Sequence, residues 1–128
     1  MGNPLRVLDA ARSVVGEVDE LLDHSGGRIL RDRQLRASVA SIAANIREAY
    51  GRRAGPERNQ FLRFARGSAE ETDEHLRGNY LSGRINAALW WRLHHRLMTI
   101  VKMLNQLMTE RKNPSSAPAV RVRRQRPL

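Results

Sequence analysis

His24, His75, His94 and His95 are the first side chains to weigh for chemistry, because imidazole is the usual general acid, base or zinc ligand near neutral pH. Their spacing argues against a site. His24 falls where a helix should end, His75 stands alone, and His94 and His95 are neighbours that point about 100° apart around a helix. No HExxH or Glu-x-x-His pair, no phosphate-cradling glycine loop and no G-x-S-x-G elbow occurs. The absence of cysteine removes thiolate chemistry, disulfides and Cys-based zinc sites together. These observations predict a non-catalytic chain with no metal and no cofactor.

Glu70, Glu71, Asp73 and Glu74 form an acidic run that invites a metal reading. Arg66 and Glu70, and likewise Asp73 and Arg77, stand four residues apart, so they are expected to pair across a solvated helix face.

The arginines carry more weight. On a helical wheel Arg33, Arg36 and Arg47 fall within about 60° of one another, interleaved with Ala37, Ala40 and Ala44. A basic strip on an alanine-smoothed face can approach a phosphate backbone closely. Arg52, Arg53 and Arg58 cluster just beyond, and Arg121, Arg123 and Arg124 lie near the end of the chain. Together they are the candidate footprint for RNA or DNA. A merely solvated charged face is the alternative, because arginine is also a good helix former.

Within "SIAANIREAYGRRAG", Ser41, Asn45 and Glu48 flank the Ile42 and Ile46 stripe. They are expected to bond polar groups on a neighbouring helix or subunit.

Four helices must position these groups. Asn3-Pro4 starts the first and Gly26-Gly27 stops it, giving Pro4 to His24 with a stripe of Leu8, Ala11, Val15, Val18 and Leu22, widened by Val14 and Leu21. The second runs from Arg31 or Asp32 to Tyr50 on Leu35, Val39, Ile42, Ile46 and Ala49, with Gly51 as an expected left-handed cap. Pro56 opens a third that reaches Tyr80 through Phe61, Ala65, Ser68, Thr72 and Leu76; Gly67, Ser68 and Ala69 would admit a neighbouring backbone. The fourth, from Ile85 to Glu110, carries Trp90, Leu93, Leu97, Ile100, Leu104 and Leu107. No long period-two alternation appears, so the fold class is all-α, an antiparallel up-down four-helix bundle. Its wide apolar stripes favour self-association.

The net charge of +10 is uneven. Residues 111 to 128 hold six basic residues and no acidic one, among prolines and serines, and are read as a disordered basic tail beyond a bundle spanning 1 to 110. Residues 1 to 27 are net acidic and 28 to 53 net basic. With no signal-like leader and no membrane-length apolar run, the expected location is the cytoplasm, with no membrane partner.

The stretch "LRDRQLRASVASIAANIREAYGRR" followed by "NQFLRFARGSAEETDEHL" resembles the bacterial four-helix bundle family associated with 23S ribosomal RNA intervening sequences. The residues that carry it are Gln34, Leu35, Arg36, Ser41, Ile42, Asn45, Ile46, Glu48, Gly51, Arg52, Phe61, Leu62, Ala65, Gly67, Ser68 and Glu71. It covers about residues 5 to 110 and departs at Ala49, where glycine is usual, at Arg47, where a small residue is usual, and at Thr72, where leucine is usual. The resemblance implies a left-handed up-down bundle that forms a ring, commonly a homopentamer, with a positively charged central surface and no catalytic activity. A related branch, the accessory variability determinant proteins of diversity-generating retroelements, binds RNA and a reverse transcriptase. The function expected is therefore an oligomeric nucleic-acid-binding accessory or scaffold. The alternative is a protein-interaction module without nucleic-acid contact, such as a reverse transcriptase accessory subunit.

Overall fold

Asn3 sets the first helix in place: its Oδ1 accepts the Leu5 N–H at 2.8 Å, and Pro4 occupies the first turn, where its missing N–H costs nothing. In the computed structural model, which describes residues 3–112 and side chains as far as Thr109, this helix is α1 (Pro4–Asp23). It is followed by α2 (Asp32–Tyr50), α3 (Pro56–Leu81) and α4 (Ala87–Lys112), with no strand among the described residues. Gly26 and Gly27, at φ 61° and 81°, turn the chain out of α1 through the left-handed region that glycine enters freely. Asn86 starts α4 by accepting the Leu89 N–H at 2.8 Å.

Each helix packs on its two neighbours, α1 on α2, α2 on α3, α3 on α4 and α4 back on α1, while the diagonal pairs stay apart. With short links this is the up-down bundle. The α1–α2 and α3–α4 links share one end, and the α2–α3 turn lies at the other, beside the start of α1 and the end of α4.

Leu35, Val39, Ile42, Ile46 and Ala49 of α2 are buried as their spacing predicts, as are Trp90, Leu93, Leu97, Ile100, Leu104 and Leu107 of α4. Large apolar side chains of this kind each gain about 1.5–3 kcal/mol on full burial. The stripes of α1 and α3 are rotated from expectation. Val7 and Val14 are buried while Leu8 and Val15 are only half-buried; Leu62 and Ala69 are buried while Phe61 and Ser68 sit at the margin. Gly67 faces open space, so Ser68 and Ala69, not the glycine, serve the contact with neighbouring helices.

Hydroxyls line the α2–α3 seam. Ser68 Oγ donates to Ser41 Oγ at 3.0 Å, and fully buried Thr72 places Oγ1 2.9 Å from Ser38 Oγ. The hydroxyl of Thr72 within the seam is thus accommodated by a polar partner across it.

Gly51 is a correction. Its φ of −84° and ψ of −5° are right-handed, and a Cβ there would meet only ordinary contacts at 3.5 and 3.7 Å. The left-handed residue is instead Arg31, at φ 58° just before α2.

The two links at the shared end are tied together. Buried Asn79 accepts the Leu30 N–H at 2.7 Å and donates to the Leu30 carbonyl at 3.2 Å. Arg28 Nε donates to the Arg84 carbonyl at 2.8 Å, and Arg84 Nη1 returns a bond to the Arg28 carbonyl at 3.1 Å.

Candidate nucleic-acid interface

The expected strip on α2 does not survive as a unit. Arg33 and Arg47 are both exposed and unbonded among the described residues, but fourteen residues of helix separate them by about 21 Å. Arg36, between them, is turned onto the acidic first helix. It donates to Asp23 at 3.0 Å, to Asp19 at 3.4 Å and to Asp32 of its own helix at 3.4 Å. The hydrogen bond it donates to Asp23, ahead of that to Asp32, raises its pKa further above the usual guanidinium value. A wheel reports angle without height or neighbours, which is why the three appeared together.

The turn cluster divides the same way. Arg52 is held by Glu48 at 2.6 Å and Glu57 at 3.2 Å, lies 4.5 Å over the Phe61 ring, and has its pKa raised chiefly by the hydrogen bond to Glu57. It also donates to the Glu48 carbonyl at 3.3 Å, meeting the negative end of the α2 dipole as expected. Arg58 reaches back to cap α2: Nε donates to the Ala49 and Arg52 carbonyls at 3.1 Å, Nη2 also bonds Arg52, and the guanidinium lies 4.6 Å over the Tyr50 ring. Arg53 stays exposed and unbonded among the described residues. The expected tail begins at residue 111, but α4 continues through Lys112; residues 113–128, with Arg121, Arg123 and Arg124, lie outside the described residues.

Of the polar flank, Ser41 bridges to α3, whereas Asn45 folds back on its own helix, donating to the Ser41 carbonyl and Oγ at 2.9 Å. Glu48 serves Arg52. Within the single chain Asn45 and Glu48 each take a partner four residues away and not on a neighbouring helix.

The predicted pairs on α3 are replaced by contacts with α4. Arg66 Nη1 donates to Asn105 Oδ1 at 2.7 Å instead of pairing with Glu70, and Asp73 Oδ1 lies 2.7 Å from His94 Nδ1 instead of Arg77. The His94 ring packs 4.9 Å from that of Trp90, itself stacked on Tyr80 at 5.6 Å. Around this histidine and carboxylate lie Glu74, Arg77, Tyr80, Leu81 and Trp91, which offer no serine, threonine or cysteine nucleophile to activate. Among the described residues no cluster of three potential metal ligands occurs. No helix there is long and apolar enough to cross a membrane.

Charge is segregated along the bundle axis. At the α2–α3 turn end Arg6, Arg12, Arg47, Arg53, Arg63 and Lys102 form no ion pair among the described residues, and the only partner of Arg66 is a neutral amide. Among the side chains described there, Glu48 and Glu57 are occupied by Arg52, which leaves Asp9 as the unpaired carboxylate. Toward the opposite end carboxylates stand among the cations: Asp19, Asp23 and Asp32 hold Arg36, and Glu17 holds both Arg92 and Arg96, while Arg28, Arg31, Arg33, Arg77 and Arg84 form no ion pair among the described residues. The i, i+4 rule hides Arg66 by assigning it to Glu70, and Arg63 and Lys102 stand on helices outside the wheel of α2.

A profile described as "23S rRNA-intervening sequence protein" matches residues 4–106. Among solved structures, the fold is similar to a crystal structure from Bacteroides thetaiotaomicron VPI-5482, described as a protein with unknown function from the S23 ribosomal protein family. The TM-score is 0.78 at 21% identity, covering 83% of this chain and 97% of that one. No curated protein matches.

Proposed function

The chain belongs to the family of 23S rRNA-intervening sequence proteins, and on that footing we propose that it is a non-catalytic nucleic-acid-binding scaffold that engages phosphate backbones with the α2–α3 turn end of the bundle. The observation that carries this reading is the excess of cations over carboxylates toward that end. Arg47, Arg53, Arg63, Arg66 and Lys102 lie in the half of the bundle where α4 finishes and make no ion pair among the described residues, and the chain continues from α4 into residues 113–128, four of them arginine. A polyanion meeting that end encounters more positive charge than its carboxylates cancel.

The test is a salt titration of the full chain with a structured RNA and a duplex DNA. Affinity should fall linearly on logarithmic axes, by about 0.9 per neutralised phosphate on duplex and about 0.7 on single strands. Binding that ignores salt, or no binding to either, would overturn the reading.

One observation favours a second reading, a protein-docking module. Leu81 and Trp91 are 68% and 57% exposed and lie together beside Tyr80, Trp90 and His94. Apolar surface of that kind suits another protein chain, whether further copies in a pentameric ring or a separate polypeptide such as a reverse transcriptase. Mass in solution, measured for the native chain and for Trp91→Ser, separates self-association from capture of a different partner.

A further inference from the structure

Between the start of α3 and the end of α4 is an open notch of about 290 Å³ lined by Asn59, Arg63, Arg66, Asn105, Met108 and Thr109. No carboxylate among the described residues lines it. Arg66 is fixed across the notch by its 2.7 Å bond to Asn105 Oδ1, which turns the carbonyl side of that amide toward the arginine and leaves the Asn105 NH2 for another acceptor. The Thr109 hydroxyl is spent on the Asn105 carbonyl at 2.9 Å. Arg63 and the Asn59 side chain make no hydrogen bond among the described residues, and Asn59 Oδ1 is buried without a partner. The groups left open are therefore mostly N–H donors, two of them guanidinium, which is the complement of a tetrahedral oxyanion.

We propose that this notch seats a backbone phosphate of the bound nucleic acid, so that the strand passes from the α2–α3 turn end, where Arg47 and Arg53 stand, onto the α3–α4 edge. The inference rests on the nucleic-acid reading above and adds where the strand lies. Two features support phosphate over other anions. The forked guanidiniums of Arg63 and Arg66, one helical turn apart, suit bidentate contact with phosphate oxygens. Thr109, the last of the lining residues on α4, also lies within one turn of the end of that helix at Lys112, and the sequence beyond carries four arginines.

The experiment measures fluorescence anisotropy of a labelled structured RNA, and of DNA of the same sequence, with the full chain over a range of KCl. Arg63→Gln and Arg66→Gln should each weaken both ligands about three- to tenfold and lower the salt slope by about one phosphate contact. Arg63→Lys should keep most of the slope, because a single charge remains. A purely structural role for Arg63 would not separate lysine from glutamine. Equal loss on RNA and DNA fits a backbone phosphate; loss on one alone overturns that assignment in favour of a base or sugar contact. Unchanged slope in both glutamine variants, alongside weakened binding by Arg53→Gln, overturns the notch while leaving the nucleic-acid reading intact. Absence of salt-dependent binding by the native chain overturns both. If Arg63→Gln abolishes binding of a glutamate-rich peptide but spares RNA, the notch is an acidic-protein site and the proposal fails.

Discussion

The guanidinium of Arg36 donates to Asp23 of the first helix at 3.0 Å, so a cation that α2 would display is neutralised by its neighbour. Arg47, on the same side of the same helix, has no such partner among the described residues. Arg36→Gln should leave nucleic-acid affinity within about twofold of the native chain, whereas Arg47→Gln should lower the salt slope by about 0.7–0.9. Equal slopes for the two variants would show that the acidic helix does not mask the strip.

Asn79 satisfies both backbone groups of Leu30 from a site 2% exposed. Asn79→Leu strands that N–H and carbonyl at the locked end and should destabilise the fold by about 2–3 kcal/mol. Urea unfolding reads this as a lower midpoint with an unchanged slope. A loss below half a unit on that scale would mean the link rearranges freely.

Thr72 is fully buried and hydrogen-bonded 2.9 Å from Ser38. Restoring the leucine of the family pattern by Thr72→Leu adds volume to a filled seam and should cost about 1–3 kcal/mol. Adding Ser38→Ala makes room and removes the lost partner, so the double variant should be more stable than additivity allows. Strict additivity in urea unfolding would show that the two positions do not share a packing constraint.

Arg31 holds φ 58° and ψ 43°, a left-handed conformation that penalises a residue with a Cβ by about 1–2 kcal/mol. Glycine removes that strain but adds entropy to the unfolded chain, so Arg31→Gly should stabilise by about 0.5–1 kcal/mol. A lowered thermal midpoint would indicate that the arginine side chain contributes something the geometry does not reveal.

Helix α2 is legible in the sequence because its apolar positions have no competitors, flanking residues being alanine, arginine or polar; in α4 the long stripe from Trp90 to Leu107 stands out despite the apolar neighbours Trp91, Val101 and Met103. In α1, Val14 and Val15, and in α3, Phe61 and Leu62, are adjacent apolar residues that periodicity ranks equally. The positions of the neighbouring helices decide between them. The candidate site was less legible for a related reason. Charge pairs such as Arg36 with Asp23, and contacts such as Arg66 with Asn105, join residues far apart in sequence, and local spacing rules propose nearer partners first. Arg52 and Asn45 are the opposite case, since each takes a partner four residues away.

The sorting of charge along the bundle has an effect that precedes any contact. A rod with uncancelled cations at one pole and carboxylates toward the other is an electrical dipole, and the field around a polyanion exerts a torque on it during diffusion. The molecule should arrive turn-end first, and neutralising the acidic pole should loosen that alignment even where no acidic residue touches the partner.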